Sequence, residues 1–568
     1  MTDPHDQRSS DTHPKQHKRI IVIGGVAAGT SAAAKARRND EDASIVIYDM
    51  DRHVSYSGCG LPYYIGNRVT DINELIPRGP EFFLKKYRVE VNILHRVELI
   101  DPDRKTLRVR RLSDGFVFED NYDILVIATG ASSITLPVTG ADLPHVFTLR
   151  NPSDAMAIKD FIANNSPRST VIVGTGFIGL EMADNLALLG QNITLIEKRR
   201  KPCPPLDDDM ADYLSEHLDK MGVRLLTGVS VASISDKEVI TDAEDSVAAD
   251  MVIVAIGVRP NTALAESTGI RLGTTGAIAV DTQMRTNIPD IFACGDCSEN
   301  CFTLTGEPFY RPLGSTANKT GRITGDVMTG SDESHRGVLG TGIFETLGMT
   351  IATTGLKESE ARQMGFNVIV SHNIKPNKPT YLGGKEMVIK TIADSETHLL
   401  LGVQIVGYEG VDKRIDVFVT AMSAGMKVED LVHLDLAYAP PFSTTKDPVI
   451  YSGMILSNAL NRNRRLISVN ALSESEPASP IIIDTRIAAQ FEKGHVDGAI
   501  SAPHDRLREV INDLDHARPV ITYCNKGTTG NTVQNILLNK GFKNVYNLSG
   551  GYKQYKTQKR KGNSPEDK

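Results

Sequence analysis

The chain has 568 residues, 40% hydrophobic and 23% charged, ordinary proportions for folded protein that exclude wholesale disorder. A formal net charge of −7 and a pI near 6.1 argue against a nucleic-acid protein, which needs a basic face to neutralise phosphates. No apolar run reaches the roughly 18 residues needed to span a bilayer, so no membrane insertion is expected. Dividing the length by about 150 residues per domain gives roughly four domains.

The opening MTDPHDQRSSDTHPKQHK is polar, lacks the apolar core of a secretory signal, and reads as a disordered tail over residues 1–18. A cytoplasmic chain with reduced thiols is therefore expected. Its six cysteines are too few for a disulfide scaffold, and any special one should be catalytic or metal-binding.

Two segments then repeat one pattern of apolar run, glycine turn, small-residue helix and a second strand ending in an acid. The first is RIIVIGG, VAAGTSAAAKARR and SIVIYD, ending at Asp49. The second is STVIVGTGFIGLE followed by NITLIE, ending at Glu197. These are βαβ units, and two of them imply two nucleotide sites. DILVIATG, reaching Gly130, closes the first unit, and DMVIVAIGVRPN follows the second. TNIPDIFACGD then ends at Asp296.

Residues 335–460 lose the glycine-turn pattern and alternate strands with helices, which predicts an α+β domain. Polar sequence over residues 461–479 reads as a linker. A last segment beginning PIIIDTR carries its own strands and helices, and KTQKRKGNSPEDK reads as a solvated basic tail over residues 556–568.

In the second unit Gly174, Gly176 and Gly179 form G-x-G-x-x-G. Gly174 permits the tight turn, Gly176 lets a pyrophosphate approach the backbone, and Gly179 brings helix to strand. The N–H groups at the helix start, around Phe177 and Ile178, suit phosphate. Glu197 stands where an acid holds a ribose 2′-OH, which favours NADH, while Lys198, Arg199 and Arg200 can accept a 2′-phosphate. The bland alternative is a tight turn without a ligand. The first unit keeps Gly24 and Gly29 at the outer positions, with Val26 in the middle.

Cys59 lies between two glycines in SYSGCGLPYYIG, soon after Asp49, and the next cysteine is Cys203. With no resolving cysteine nearby, a redox-active Cys59 must pair with a substrate thiol or cycle through an oxidised or persulfide state. A buried structural cysteine is the alternative. Cys294-Gly-Asp-Cys297, with Cys301 beyond, looks like a metal or redox C-x-x-C. No second such pair or histidine pair stands at ligand spacing, so no metal is expected and packing is the preferred reading.

GGVAAGTSAAAKARR, SYSGCGLPYYIG, GTGFIGLE, IFACGD and LDLAYAPPF together resemble the coenzyme A-disulfide reductase branch of the pyridine nucleotide-disulfide oxidoreductases over about Arg19 to Leu460. The branch includes NADH oxidases and CoA-linked persulfide reductases. The resemblance implies two Rossmann-like domains, with FAD over residues 19–150 and 280–334 and NAD(P)H over 151–279. A dimerisation domain over residues 335–460 implies a homodimer. FAD falls to Gly24, Gly25, Ala27, Ala28, Gly29, Asp49, Thr129, Gly130, Gly295 and Asp296. The nicotinamide nucleotide falls to Gly174, Gly176, Phe177, Ile178, Gly179, Glu197 and Gly257.

In that family the reduced flavin passes electrons to the cysteine sulfur. The resemblance makes Tyr438 a proton source for the leaving CoA thiolate, reaching its partner's site, and offers Tyr381 as an assistant. The alternative for both is a packed aromatic with a satisfied hydroxyl. CoA contacts carry over to Ser31, Lys35, Arg38, Ser55, Lys86 and Lys446. Family members usually carry Asn just before the cysteine, where this chain has Gly58.

PIIIDTR, FEKGHVDGAISAP, VITYCNKGTTG and NVYNLSGGY resemble a rhodanese (sulfurtransferase) domain over residues 480–555. Cys524 would carry sulfane sulfur in a loop whose N–H groups cradle an anion. Many rhodaneses carry Arg in this loop where Thr528 and Thr529 stand here.

The resemblance thus implies an FAD- and NAD(P)H-dependent enzyme reducing CoA persulfide, polysulfide or CoA disulfide through Cys59, tethered to a sulfurtransferase domain. The alternatives are an NADH oxidase or peroxidase using a cysteine sulfenic acid, and a slow flavin-bound sulfur sensor or carrier.

Overall fold

The computed structural model describes residues 17–474 and 476–559, and these divide into two compact units. The expected tail over residues 1–18 lies outside the described residues except for His17 and Lys18.

The first unit takes the chain through Ser133, then Arg150–Ala157 and Val258–Val338. Its β-branched runs form a five-stranded parallel sheet in the order Ile291–Ala293, Ile124–Ile127, Arg19–Ile23, Ser44–Tyr48, Val89–Asn92. Such runs are buried on both faces, as a covered parallel sheet requires. The helix Ala27–Asn39 covers one face and packs against the helix Gly314–Val327. Small residues set that approach. A Cβ added at Gly321 would lie 2.2 Å from the Ala28 carbonyl oxygen, and one at Gly325 2.6 Å from that of Ala32.

The second unit holds the other dinucleotide-type sheet, parallel, in the order Arg224–Thr227, Asn192–Glu197, Ser169–Val173, Met251–Val254, Val146–Thr148. This moves the expected boundaries. Residues 134–149 belong with the second unit, because Val146–Thr148 pairs with its sheet. Residues 258–279 belong with the first unit, because Val258–Pro260 pairs with Ala131–Ser133. Residues 151–157 and 335–338 also fall in the first unit, so the chain passes between the units at 133/134, 149/150, 157/158, 257/258 and 338/339.

The predicted α+β segment is an antiparallel sheet in the order Gly342–Thr346, Met349–Gly355, Leu400–Gly407, Glu386–Asp394, Val368–Pro376. The helices Val411–Ser423 and Pro448–Asn461 accompany it. The C-terminal domain is a parallel sheet in the order Leu466–Ile467, Val545–Leu548, Val520–Tyr523, Ile481–Asp484, Ile500–Ser501.

The expected linker is therefore corrected. Leu466 and Ile467 pair with Asn547 and Leu548, and a short helix follows at Val469–Ser473. A two-residue edge strand is too short to show a period, so polar neighbours hid it. The expected basic tail is also shortened, since the helix Gly551–Lys559 runs past residue 555. Residues 560–568 lie outside the described residues.

The C-terminal domain docks within this unit through a buried polar network. The His372 N–H donates to Ser549 Oγ at 2.7 Å, and Tyr213 Oη donates to Gln554 at 2.7 Å. Buried Lys390 sits 2.9–3.1 Å from Asp209, Glu358 and Asp207. Among the described residues, no helix is long and apolar enough to cross a membrane.

Candidate active sites

The second glycine turn has the geometry of a phosphate cradle. Gly174 has φ +98°, and a Cβ there would lie 2.5 Å from the Ala255 carbonyl oxygen. A Cβ at Gly179 would lie 2.1 Å from the Gly174 carbonyl oxygen, so that glycine lets helix and turn touch. No atom lies within 4 Å of the Cβ position of Gly176, so its face is open to a ligand. Gly176 caps the helix Phe177–Leu188 without a side-chain bond, leaving the first N–H groups at Phe177 and Ile178 facing that opening.

Glu197 braces this turn. One carboxylate oxygen accepts the Thr175 N–H at 3.0 Å and its hydroxyl at 2.6 Å, and the other accepts the Arg199 N–H at 2.9 Å. Lys198, Arg199 and Arg200 are exposed beside it. Gly257 follows the strand Met251–Val254, on the side of the sheet that carries Gly174.

The first turn is built alike. Gly24 has φ +108° and would press a Cβ 2.1 Å from the Ala128 carbonyl oxygen, and a Cβ at Gly29 would lie 1.8 Å from that of Gly24. Ala27 and Ala28 open the helix, whose start has no side-chain cap. Asp49 accepts the Gly25 N–H at 2.6 Å and the Asp51 N–H at 2.8 Å. Burial pushes the Asp49 carboxyl up despite these bonds.

Thr129 and Gly130 follow the strand Ile124–Ile127, and the Thr129 hydroxyl donates to the Asn261 carbonyl at 2.8 Å. Gly295 donates its N–H to Thr320 Oγ1 at 3.1 Å. Asp296 forms a 2.7 Å ion pair with Arg150, and its carbonyl accepts from Tyr310 Oη at 2.8 Å. Arg150 and Tyr310 belong to no motif, and sequence reasoning missed them. Both glycine turns fit a dinucleotide, because each leaves uncapped N–H groups at a helix start beside a buried acid.

Cys59 sits in a single tight turn, Gly58–Gly60, ahead of the helix Leu61–Ile65, and is exposed without a disulfide. Buried Leu61 and Ile65 anchor that helix. A Cβ at Gly60 would meet Leu75 Cδ2 at 2.5 Å, whereas at Gly58 nothing comes closer than 3.8 Å. Crowding therefore does not explain Gly58. Ser55 holds φ +51°, and its N–H donates to the Gly25 carbonyl at 2.8 Å. That bond fastens the cysteine segment directly to the first glycine turn.

The expected CoA residues divide. Lys35 is committed to Asp326 at 2.8 Å, and Ser31 donates to Asn318 at 2.8 Å. Arg38 and Lys86 instead converge on one aromatic. The Arg38 guanidinium lies 5.4 Å from the Tyr87 ring centre, Lys86 Nζ also lies 5.4 Å from it, and Arg38 donates to the Tyr87 hydroxyl at 3.2 Å. Slight burial opposes the effect, but the two cations hold the Tyr87 phenol below its usual value. Arg78 over the Phe82 ring, at 5.5 Å, extends this cationic and aromatic patch. Tyr87, Phe82 and Arg78 were not foreseen, although RGPEFFLKKY has the composition to signal them.

On the second unit Tyr438 is 49% exposed, Tyr381 75% and Phe442 70%. Neither tyrosine is a packed core aromatic. The Tyr438 loop is held from below by Arg414, which donates to Asp447 at 2.8 Å, to Ser443 at 3.1 Å and to the Asn377 carbonyl at 3.0 Å. Burial opposes ionisation of Asp447, but the Val449 N–H, Arg414 and Ser443 hold its carboxyl below the usual range. Lys446 is exposed beside it.

Cys524 ends the strand Val520–Tyr523 and is 7% exposed. Three carbonyls of its loop are already engaged. Cys524 accepts the Tyr552 N–H at 2.8 Å, Asn525 that of Lys553 at 3.1 Å, and Gly527 the Asn547 side-chain amide at 3.0 Å. Among the described residues, no protein acceptor takes the backbone N–H of residues 525–530. These N–H groups precede and open the helix Thr528–Asn539 and form an anion nest. Arg486, paired with Asp484 at 2.5 Å, lies 4.0 Å from the Tyr552 ring centre and buttresses this end.

Cys294 and Cys297 are buried, and burial pushes both thiols up, so they stay neutral. No described group of three or more His, Cys, Asp or Glu side chains is placed to hold a metal ion.

Residues 18–318 match the pyridine nucleotide-disulphide oxidoreductase family, residues 346–448 its dimerisation domain, and residues 468–558 the rhodanese-like domain. The chain is 35% identical over 449 residues to a "NAD(P)H sulfur oxidoreductase (CoA-dependent)" of Pyrococcus furiosus, covering 78% of this chain and 99% of that protein. The crystal structure of reduced Bacillus anthracis CoADR-RHD superposes with a TM-score of 0.93 at 32% identity, covering 95% of this chain and 98% of the other. A NAD-dependent persulfide reductase from A. fulgidus gives a TM-score of 0.88 at 34% identity, covering 94% and 100%. Matched motifs, architecture and relatives agree, and the chain belongs to the pyridine nucleotide-disulphide oxidoreductase family, with a rhodanese-like domain at its C-terminal end.

Proposed function

We propose that this chain is a homodimeric, FAD-dependent NAD(P)H oxidoreductase that reduces CoA persulfide, CoA polysulfide or CoA disulfide at Cys59, with Cys524 carrying sulfane sulfur. The observation that carries the reading is the Ser55 N–H bond to the Gly25 carbonyl, which fastens an exposed cysteine segment to the turn fitted for the first dinucleotide. The names of the P. furiosus and A. fulgidus relatives support the substrate class.

FAD, when bound, supplies the two-electron step between pyridine nucleotide and sulfur. Gly24, Gly25 and Gly29 with the start of their helix hold its phosphates, and Gly174, Gly176 and Gly179 hold those of the nicotinamide nucleotide. Arg38 and Lys86 take CoA phosphates, and Tyr87 offers a ring for stacking.

The Cys59 thiolate attacks the outer sulfur of CoA persulfide, and the S–S bond breaks. CoA leaves as a thiolate, protonated by Tyr438 of the second protomer, and Cys59 keeps the persulfide. Two electrons then release hydrogen sulfide and restore the Cys59 thiolate. With CoA disulfide the same attack leaves a Cys59–CoA mixed disulfide. Cys524 holds its persulfide against the N–H groups of residues 525–530.

Steady-state NAD(P)H oxidation against CoA persulfide, CoA disulfide and inorganic polysulfide tests this. Turnover with a CoA acceptor, lost in Cys59→Ser, is expected. Oxygen uptake matching NADH consumption, with no response to CoA acceptors, would instead establish an oxidase. Turnover far below about 1 per second would leave a sensor or carrier.

A further inference from the structure

The loop after Cys524 has Thr528 and Thr529 where many rhodanese domains place an arginine. The structure brings a cation to this place from another domain. Lys375 belongs to the strand Val368–Pro376 of the α+β sheet, and its Nζ donates to Thr528 Oγ1 at 3.3 Å. The Tyr451 ring, 4.2 Å from the ammonium, holds that side chain in place. The buried His372–Ser549 and Tyr213–Gln554 bonds fix the docking that makes the contact possible.

Charge is unevenly matched around the loop. Lys526 and Lys553 both sit on the single carboxylate of Glu386, and burial lowers the Lys526 ammonium, with Lys553 and then Lys375 adding to the effect. Glu216 also faces Lys553 but is already paired with Lys220 at 2.7 Å. Three lysines thus stand around an anion nest, two of them sharing the one carboxylate of Glu386.

We propose that Lys375 is a specificity-determining residue of the Cys524 site, completing it from outside the rhodanese-like domain so that it prefers a small divalent oxyanion donor of the thiosulfate class. This rests on the reading of Cys524 as a sulfur carrier. In the step served, the Cys524 thiolate attacks the outer sulfur of thiosulfate, the S–S bond breaks, and sulfite leaves with the bonding pair. A cysteine persulfide remains, and no external oxidant or reductant is needed.

Two measurements on the full-length protein test it, with Lys375→Gln and Lys375→Arg. The first is the ratio of alkylation rates at Cys524 by anionic iodoacetate and neutral iodoacetamide, read by peptide mapping. Lys375→Gln should lower that ratio about fivefold, the effect of one nearby, partly screened charge, and Lys375→Arg should hold it within about twofold. The second is sulfur transfer from thiosulfate and from an uncharged organic trisulfide. Lys375→Gln should raise the KM for thiosulfate about fivefold with kcat nearly unchanged, and leave the trisulfide untouched.

An unchanged alkylation ratio, or equal effects on charged and neutral reagents, would overturn the proposal. If the ratio shifts while the parent protein transfers no sulfur, the cationic completion stands and the carrier reading fails.

Discussion

Cys59 and Cys524 both stand just before a helix, yet their surroundings oppose one another. Cys59 is exposed on a tight turn before a helix of only 5 residues, with open space at Gly58. Cys524 is buried before a helix of 12 residues, in a loop where the carbonyls of Cys524, Asn525 and Gly527 are engaged. The buried thiol is provided with its own backbone electrostatics and suits a small anion. The exposed thiol sits on a segment tied to the turn at Gly25 through the Ser55 N–H. In the proposed function the open arrangement takes the long substrate, CoA.

The contrast is broken most directly by exchanging sulfur for oxygen. Cys59→Ser should lower NAD(P)H-linked reduction of CoA acceptors at least about a thousandfold while thiosulfate sulfur transfer persists, and Cys524→Ser should do the reverse. Equal loss of both activities in either variant would refute the division of labour.

Next in size is the support under Tyr438. Arg414→Met takes the nearer cation from buried Asp447, leaving Lys413 at 3.8 Å, and should cost about 3 kcal/mol, seen as a lower urea midpoint. Because the folded protein holds Asp447 below the usual carboxylate range, its stabilisation is complete above about pH 4 and fades as pH falls further. Asp447→Asn should therefore flatten the acid side of the stability curve, and an unaltered acid profile would deny Asp447 that part.

Smaller effects sharpen the difference in substrate. Gly176→Val fills the open face of the second turn and should raise the KM for the nicotinamide nucleotide about tenfold or more, without touching sulfur transfer. Arg38→Gln should raise the KM for CoA acceptors about three- to tenfold and leave thiosulfate kinetics alone. Parallel losses in both reactions would show that the two sites are not separate.

The parts of this architecture that depend on local chain geometry were readable in advance. Gly24 and Gly174 mark turns that only glycine completes, and the strands beside them are continuous apolar runs. Contacts across long sequence distances were not. Lys35 looked available on its helix face, but its partner Asp326 sits on the helix Gly314–Val327, whose glycine-rich sequence does not announce a helix. Arg150 reaches Asp296 from a segment without a motif, and Lys375 reaches Thr528 from another domain. No periodicity encodes such pairings, because each is set by how separate elements dock.

The two-residue strand at Leu466–Ile467 has a practical consequence for anyone wishing to isolate the C-terminal rhodanese-like domain. A fragment cut at residue 480 would strip the outermost strand from its sheet and bare the backbone of Val545–Leu548, an invitation to aggregate. A fragment beginning near residue 462 keeps that border sealed.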